Sequence, residues 1–363
     1  MSQIPLLCVF LFAFLSQSIC LSKLTPKNHG SKIRGMFVFG SSILDNGNNN
    51  FLPNSLAKVN YSPYGADFPL GPTGRFTNGK NVIDVLGEKL RLPNYIPPFN
   101  DPSTNGSKIL HGVDFASGGS GILDVTGSIA GNVISLNQQI RNFESATLPD
   151  FELQLGEKST KIMSDFLFVV GSGGNDYSLN YFRANNNITL QDFTTNLTTT
   201  LSLQLKRLYD LGARKFVLMA INPNGCSPIA TASFPTRDCV RILNKAFHMF
   251  NSNLKNLVDA IRPQMPGSNL VFVNTYKVIR DIIKSPSTKG FRDVNSACCE
   301  VGPTGVLCKR GGLICKNRSE YVFFDGLHPT EAVNYVIANK AFKSNLKSEV
   351  YPFNVKRLSE IYV

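Results

Sequence analysis

A histidine that follows an aspartate by three positions is the strongest chemical signal in this sequence. Residues 325–329 read Asp-Gly-Leu-His-Pro, and His328 is one of only four histidines. A histidine that acts as a general base needs an acceptor on its second ring nitrogen, which fixes the tautomer and stabilises the imidazolium. We therefore predict that His328 is catalytic and that Asp325 orients it. The alternative is a structural histidine with satisfied ring nitrogens.

A serine nucleophile for this base is predicted near the other end of the chain. Residues 35–40 (Gly-Met-Phe-Val-Phe-Gly) form a short apolar run between glycines, which is typical of a buried strand. Ser41 and Ser42 follow directly, and the carboxyl ends of parallel strands are where open α/β sheets bind their ligands. The alternative is that the serines and asparagines of residues 41–50 only cap a helix or shape a turn.

Four blocks of the sequence resemble those of a known family. The resemblance is to the plant GDSL esterase/lipases, the secreted branch of the SGNH hydrolases, and it extends from about Met36 to Tyr335. The blocks occur in the family's order and are residues 40–50, residues 112–121 (Gly-Val-Asp-Phe-Ala-Ser-Gly-Gly-Ser-Gly), residues 173–177 (Gly-Gly-Asn-Asp-Tyr) and residues 325–329.

The resemblance implies roles for individual residues. Ser42 corresponds to the nucleophile, and Asp325 and His328 complete the triad of a serine esterase that forms an acyl-enzyme. Acyl transfer builds negative charge on the former carbonyl oxygen, so hydrogen-bond donors must be aimed at it beforehand. The resemblance implies that these donors are the backbone N–H groups of Ser42 and Gly118 and the side-chain amide of Asn175. The glycine run also permits the register in which Gly119 takes the place of Gly118.

One position departs from the family pattern. Ser41 replaces the aspartate of the Gly-Asp-Ser-Leu motif, so two adjacent serines compete for the role of nucleophile. The register of the motif favours Ser42. Three functions remain open from the sequence: an esterase or lipase, an acyltransferase that uses the same triad, and a non-catalytic glycan- or lipid-binding relative.

The elements that position these residues are predicted from hydrophobic periodicity. Strand-like runs occur at residues 36–39, 113–116, 166–170, 215–221 and 270–273, and helical patterns at 194–211 and 240–261. Such alternation predicts an α/β protein with a parallel sheet covered on both faces. The resemblance implies the three-layer α/β/α SGNH-hydrolase (flavodoxin-like) fold with a five-stranded parallel core sheet. We expect a single domain over residues 21–363 and a closing helix over residues 334–351.

The N-terminal residues and the cysteines predict secretion. Residues 1–20 read as a signal peptide, and no later run is long and apolar enough to cross a bilayer. Beyond this segment lie six cysteines, an even number that favours disulfides. We expect Cys226 to pair with Cys239, while the pairing among the other four stays open. A zinc site is the rival reading for those four, but no Cys-x-x-Cys pair is present. The remaining four are Cys298, Cys299, Cys308 and Cys315.

Composition and charge limit the classes of molecule that this protein is expected to bind. The formal charge is +12 and the pI is about 9.3, but the basic residues are scattered, so we expect no nucleic acid as partner. We expect a monomer that acts on a lipid or on an acylated polysaccharide, without cofactor or metal. Electrostatic adsorption to acidic cell-wall polysaccharide is one explanation of the charge, and a basic surface kept for solubility is the other. Five sequons predict N-glycosylation, at Asn60, Asn105, Asn187, Asn196 and Asn317.

Overall fold

The apolar runs between glycines form a central parallel sheet. The computed structural model describes residues 33–156, 158, 162–183, 187–233 and 238–363, so the predicted signal peptide lies outside the described residues. Four parallel strands lie side by side in chain order: β1 (Gly35–Gly40), β2 (Phe166–Gly171), β3 (Lys215–Met219) and β4 (Asn269–Val273). Nearly all of their residues are buried, as expected for strands covered on both faces.

The fifth strand of the sheet is not the one that the sequence predicts. It is β7 (Val350–Tyr351), which pairs antiparallel with β4, so the sheet is mostly rather than wholly parallel. Residues 113–116 instead lie beside β1 and exchange two hydrogen bonds with Val38 without forming a regular strand. On the far side of this segment lie Pro97 and Pro98, which have no N–H with which to extend a ladder.

Nine α-helices of the described residues cover the sheet: α1 (Val82–Lys89), α2 (Leu136–Asn142), α3 (Leu148–Leu155), α4 (Leu190–Asp210), α5 (Pro228–Thr231), α6 (Arg241–Ala260), α7 (Thr275–Lys284), α8 (Glu331–Lys343) and α9 (Val355–Glu360). Alternate strand residues point to opposite faces. Phe37 and Phe168 pack with α2, α3, α4 and α6, whereas Val38 and Val169 pack with α1, α7, α8 and α9. The expected three-layer α/β/α arrangement is therefore confirmed.

The predicted closing helix is wrong in its C-terminal half. Helix α8 ends at Lys343, and the chain turns back to form β7. The buried carboxylate of Glu349 holds this turn by accepting hydrogen bonds from Lys340 Nζ and Ser344 Oγ. Pro352 follows, and proline cannot continue a helix without losing a hydrogen bond. The helices predicted over residues 194–211 and 240–261 correspond to α4 and α6.

A small second sheet carries the histidine end of the site. Strands β5 (Asp293–Ala297) and β6 (Tyr321–Phe323) pair in parallel, and residues 325–329 follow β6 directly. Two disulfides beside this sheet join Cys298 to Cys315 and Cys299 to Cys308. The third joins Cys226 to Cys239, which confirms the expected pair.

No helix within the described ranges combines the length and the apolar character needed to cross a membrane.

Candidate active site

The turn after β1 places Ser42 above the carboxyl end of the sheet. Gly40 approaches β2 so closely that a Cβ at this position would lie 2.2 Å from the carbonyl oxygen of Gly171, which explains the glycine. The buried Gln139 side chain fixes the strand end, because its Oε1 accepts from Gly40 N–H and its Nε2 donates to Gly40 O, both at 2.8 Å. The carbonyl of Ser41 then accepts hydrogen bonds from the turn that follows.

The structure brings together Ser42, His328 and Asp325. His328 Nε2 lies 2.8 Å from Ser42 Oγ, and His328 Nδ1 lies 2.8 Å from Asp325 Oδ2 and 3.0 Å from Oδ1. His328 is 4% exposed and Asp325 is fully buried. The Ser41 hydroxyl has no hydrogen-bond partner among the described residues, so the geometry separates the two serines. The arrangement is that of a hydroxyl nucleophile, a base and an orienting carboxylate.

Two aromatic residues that the sequence did not single out support this group. Tyr64 Oη donates to Asp325 Oδ2 at 2.7 Å and accepts from the backbone N–H of Cys308 at 3.0 Å. Burial, together with the charge of Asp325, raises the pKa of Tyr64 well above its usual range, so the phenol keeps its proton. The ring of Phe76 packs on the His328 imidazole, with 4.8 Å between the ring centres.

The side chain of Asn175 is oriented toward the same cavity. Its Nδ2 donates to Ser120 O at 2.8 Å, which uses one of its two N–H bonds and leaves the second available. Asn175 lines the cavity together with Ser42 and His328. The backbone N–H of Ser42 donates to no acceptor in the described part of the chain, so it too is available to a negatively charged oxygen.

Gly118 is the predicted site residue that the structure does not bring into this arrangement. Its N–H donates to Asp45 Oδ2 at 2.9 Å, and it does not line the cavity. A Cβ at this position would meet the Phe76 ring at 2.4 Å, so the glycine is needed for packing. The next residue, Gly119, has an N–H that makes no hydrogen bond to any described residue, but it does not line the cavity either.

Asp45 explains why the Gly118 N–H is occupied. Its Oδ1 accepts from the N–H groups of Gly47 and Asn48 at 2.7 and 2.8 Å, while its Oδ2 accepts from Gly118. The carboxylate is fully buried, and this burial raises its pKa to about 6 against the opposing effect of these bonds. Asp45 therefore joins the loop that carries Ser42 to the second sequence block.

The buried carboxylate of Asp176 joins the third sequence block, residues 173–177, to the residues that follow the second block. Its carboxylate accepts from the N–H groups of Ile122 and Leu123 at 2.9 and 3.0 Å and from Thr126 Oγ1 at 2.8 Å. Complete burial raises the pKa of Asp176 to about 6. Because Asp176 directly follows Asn175, these bonds fix the backbone from which the Asn175 amide projects.

A buried ion pair between Arg75 and Asp84 supports the loop that carries Ser42. Arg75 Nε and Nη2 donate to the two oxygens of Asp84 at 2.7 and 2.8 Å, and both side chains are almost fully buried. The loop itself is held at Asn46, whose N–H donates to Asp114 Oδ2 at 2.6 Å. Burial and the neighbouring Asp45 raise the pKa of Asp114 well above its usual range.

The cavity beside Ser42 is small and mixed in character. It encloses about 40 Å³, space for only a few water-sized groups, and it opens to the surface. No group of three or more histidine, cysteine, aspartate or glutamate side chains that could hold a metal occurs among the residues described. Besides the residues already named, the lining includes apolar Ile43, Ile221 and Leu327 and polar Ser172, Asn222 and Asn224.

The five predicted glycosylation sites all have exposed side chains. This holds for the asparagines at 60, 105, 187, 196 and 317. The structure thus leaves each of them accessible to a bulky glycan.

Comparisons with known proteins find a family and relatives that share the GDSL name. The sequence matches the GDSL-like Lipase/Acylhydrolase family over residues 36–341. It is 40% identical to GDSL esterase/lipase At1g29670 of Arabidopsis thaliana over 335 residues, 90% of this chain and 91% of that one. It is 39% identical to GDSL esterase/lipase At4g16230 of the same plant over 368 residues, 97% and 99% of the two chains.

Among solved structures, an extracellular lipase from Streptomyces rimosus matches with a TM-score of 0.36 and 12% identity, over 85% of this chain and 99% of that one. That score is too low to support an argument. The family match covers most of the chain and includes every residue of the Ser42–His328–Asp325 group. This chain therefore belongs to the GDSL-like lipase/acylhydrolase family.

Proposed function

We propose that this protein is a secreted serine ester hydrolase whose nucleophile is Ser42. Family membership makes the chain a hydrolase of esters. The observation that supports the residue roles is the continuous hydrogen-bonded path from Ser42 Oγ through His328 to Asp325. Each contact in this path is 2.8 Å, which is within the reach required for proton transfer.

The reaction follows from this geometry in two halves. Ser42 Oγ attacks the ester carbonyl carbon while His328 Nε2 takes its proton. The bond between that carbon and the alkoxy oxygen then breaks, and His328 returns the proton to the departing alcohol. Water attacks the resulting acyl-enzyme with His328 again as base, which releases the acid and restores Ser42. Asp325 stabilises the imidazolium formed in each half without taking its proton.

Two donors stabilise the oxyanion in this proposal. They are the Ser42 N–H and the second N–H of the Asn175 amide, since both residues line the cavity and neither Gly118 nor Gly119 does. Removing one such donor typically costs about 2.7–4 kcal/mol of transition-state stabilisation. The substrates that we propose are esters of lipids or of acylated cell-wall components.

Secretion is supported by two features. Residues 1–20 have the composition of a signal peptide, and the three disulfides are stable only in an oxidising compartment. We also propose that the exposed sequons carry glycans. We also propose that the protein is a monomer. Treatment of the secreted protein with a glycosidase and sizing of the product test these two points together.

We further propose that the protein adsorbs to acidic polysaccharide. Helices α6 and α7 together line an open groove of about 790 Å³. Its walls carry four basic side chains that form no ion pair with any described residue, and a single aspartate, Asp238. An unpaired cationic groove on a chain of charge +12 attracts a polyanion. The four basic residues are Arg241, Lys245, Arg280 and Lys284.

Elution from pectate or isolated cell wall tests this adsorption. Changing Lys245 and Lys284 to glutamine should lower the salt concentration needed for elution. The matched control changes Lys206 and Lys277 to glutamine, since each is already paired with an aspartate on its own helix. Equal elution of both double variants would refute the groove as the adsorption site.

The catalytic assignment is tested by hydrolysis of p-nitrophenyl acetate, butyrate and palmitate. The Ser42→Ala variant should lose activity by a factor of at least about 10³, whereas the Ser41→Ala variant should retain it. Activity that survives in Ser42→Ala and disappears in Ser41→Ala would move the nucleophile by one residue. No hydrolysis by the unaltered protein would instead favour an acyltransferase or a binding protein.

A further inference from the structure

Polar side chains without partners lie in the catalytic cavity. Ser172 Oγ and Asn222 Oδ1 are buried atoms with no hydrogen-bond partner, in residues that are 8% and 7% exposed. Both residues line the cavity that contains Ser42 and His328. A buried polar atom left unpaired costs about 1–3 kcal/mol, so such atoms in a native structure call for a ligand that satisfies them.

The unpaired state of Asn222 is not a result of loose packing. The residue before it, Ile221, is held by the buried Asn251 side chain, which accepts from Ile221 N–H at 2.8 Å and donates to Ile221 O at 2.9 Å. Asn222 O accepts from the N–H of Asn224 at 2.7 Å, and Pro223 between them has a restricted backbone. These bonds fix the backbone on both sides of Asn222, while the side-chain amide of Asn222 makes no hydrogen bond to any described residue.

Both residues occupy the same edge of the sheet as the nucleophile. Ser42, Ser172 and Asn222 follow the carboxyl ends of β1, β2 and β3, which are neighbours in the sheet. Asn224, whose side chain also has no hydrogen-bond partner among the described residues, is less buried and lines the same cavity. A substrate bound at Ser42 therefore occupies the cavity that Ser172, Asn222 and Asn224 line.

We propose that Ser172 and Asn222 form a hydroxyl-binding subsite that selects small, hydroxylated esters. The subsite accepts a hydroxyl group one or two carbon atoms from the ester linkage, as in partial esters of polyols and sugars or in esters of 2-hydroxy acids. Asn222 Oδ1 accepts a hydrogen bond from the substrate hydroxyl, and Ser172 Oγ donates to or accepts from such a group. This inference rests on the proposed ester hydrolysis at Ser42.

Cavity size supports a short substrate group at this position. The cavity of about 40 Å³ has space for a few water-sized groups, so a hydroxyl or hydroxymethyl group fits against these side chains. An apolar group of the same shape would fill the space and leave both buried polar atoms unpaired. Sites built to hydrogen-bond a substrate hydroxyl discriminate strongly against an analogue that lacks it. For two uncharged partners we expect a preference of about 10- to 100-fold in kcat/KM.

Two pairs of isosteric esters test the subsite. The first pair, 2-hydroxyethyl acetate and propyl acetate, differs by a hydroxyl in place of a methyl group on the alcohol side. The second pair, methyl glycolate and methyl propanoate, differs in the same way on the acyl side. Initial rates measured by proton release give kcat/KM for each ester, and division by the rate of alkaline hydrolysis removes intrinsic differences in reactivity. We expect the hydroxylated ester to be preferred in at least one pair, which also identifies the side of the substrate that is bound.

Variants assign the preference to the two residues. Ser172→Ala and Asn222→Leu should each reduce the ratio within the preferred pair toward one. The matched control is Asn256→Leu, an exposed asparagine on α6 outside the cavity, which should keep the ratio of the unaltered protein. Thermal melts check that each variant folds, and Ser172→Ala removes only one buried atom should Asn222→Leu fail to fold.

The outcomes separate this inference from the function on which it rests. Ser42-dependent hydrolysis with ratios near one in both pairs would refute the subsite and leave the hydrolase intact. A preference that persists in both Ser172→Ala and Asn222→Leu would likewise overturn the assignment. Hydrolysis that survives in Ser42→Ala would contradict the proposed function itself, and the subsite would fall with it.

Discussion

Replacing Tyr64 by phenylalanine should destabilise the protein more than it slows catalysis. The substitution deletes one oxygen that donates to the buried Asp325 carboxylate and accepts from the N–H of Cys308. Asp325 keeps three other contacts, with the N–H groups of Leu327 and His328 and with the His328 ring. The Asp325 carboxylate therefore loses one hydrogen bond but keeps its orientation toward His328.

The magnitude follows from the two bonds removed. A hydrogen bond to a charged group contributes about 1.5–3 kcal/mol, and a buried N–H left unpaired costs about 1–3 kcal/mol. We expect the free energy of unfolding to fall by about 3–5 kcal/mol, which lowers Tm by roughly 5–10 °C for a chain of this size. Since the remaining contacts keep Asp325 oriented toward His328, kcat should fall by no more than about tenfold, with KM unchanged.

The assay combines thermal melts with the kinetics of p-nitrophenyl acetate hydrolysis. Tyr61→Phe is the matched control, because the half-buried Tyr61 hydroxyl donates to the carbonyl of the same Cys308 but does not contact Asp325. It should change stability by less than about 1.5 kcal/mol and leave kcat and KM unchanged. An unchanged Tm in Tyr64→Phe would refute the proposed bond, and a 10³-fold loss of kcat would assign the phenol a direct part in the chemistry.

Three further changes test the supporting groups. Arg75→Ala leaves the buried Asp84 charge unpaired and should cost about 3–5 kcal/mol in chemical denaturation, so a loss below 1 kcal/mol would contradict the buried pair. Asp176 has a pKa raised from 3.8 to about 6, so the folded protein binds its proton more tightly than the unfolded chain, and stability should fall by about 2 kcal/mol as pH rises from 4 to 6. In Asp176→Asn this decline should be weaker in melts over that range, and an identical slope would refute the raised pKa. Gly118→Ala should reduce kcat by displacing Phe76 from its packing place, as hydrolysis assays would show, whereas full activity would show that the ring can move freely.

The proximity of Ser42, His328 and Asp325 could be predicted from the sequence because most of its signals are local. The spacing of Asp325 and His328 is short enough for one tight turn to join them, and the turn is visible in the bond from Asp325 Oδ1 to the His328 N–H. The position of Ser42 follows from a strand end, which hydrophobic patterning reveals. That Ser42 and His328 lie close together could be predicted only from the fold, which the resemblance of the four ordered blocks implied.

The supporting contacts could not be predicted, because they join distant parts of the chain. Tyr64 lies 261 positions from Asp325, and nothing in its neighbourhood marks it as a partner of a carboxylate. The N–H of Gly118 is occupied by an aspartate 73 positions earlier, so its predicted role failed for a reason outside its own block. Likewise, β7 is only two residues long, too short for any periodicity to show.

The 286 positions between Ser42 and His328 give the site a temporal order during synthesis. Chains grow at roughly 5–20 residues per second, so the base is made about 15–60 s after the nucleophile. Until then Ser42 has no partner to take its proton, so the nascent chain cannot yet use this serine as a nucleophile. The four cysteines of the two disulfides beside β5 and β6 also precede His328 in the chain, so both disulfides can form before the base is made. A chain that stops before residue 328 would contain the Ser42 hydroxyl without the base that takes its proton.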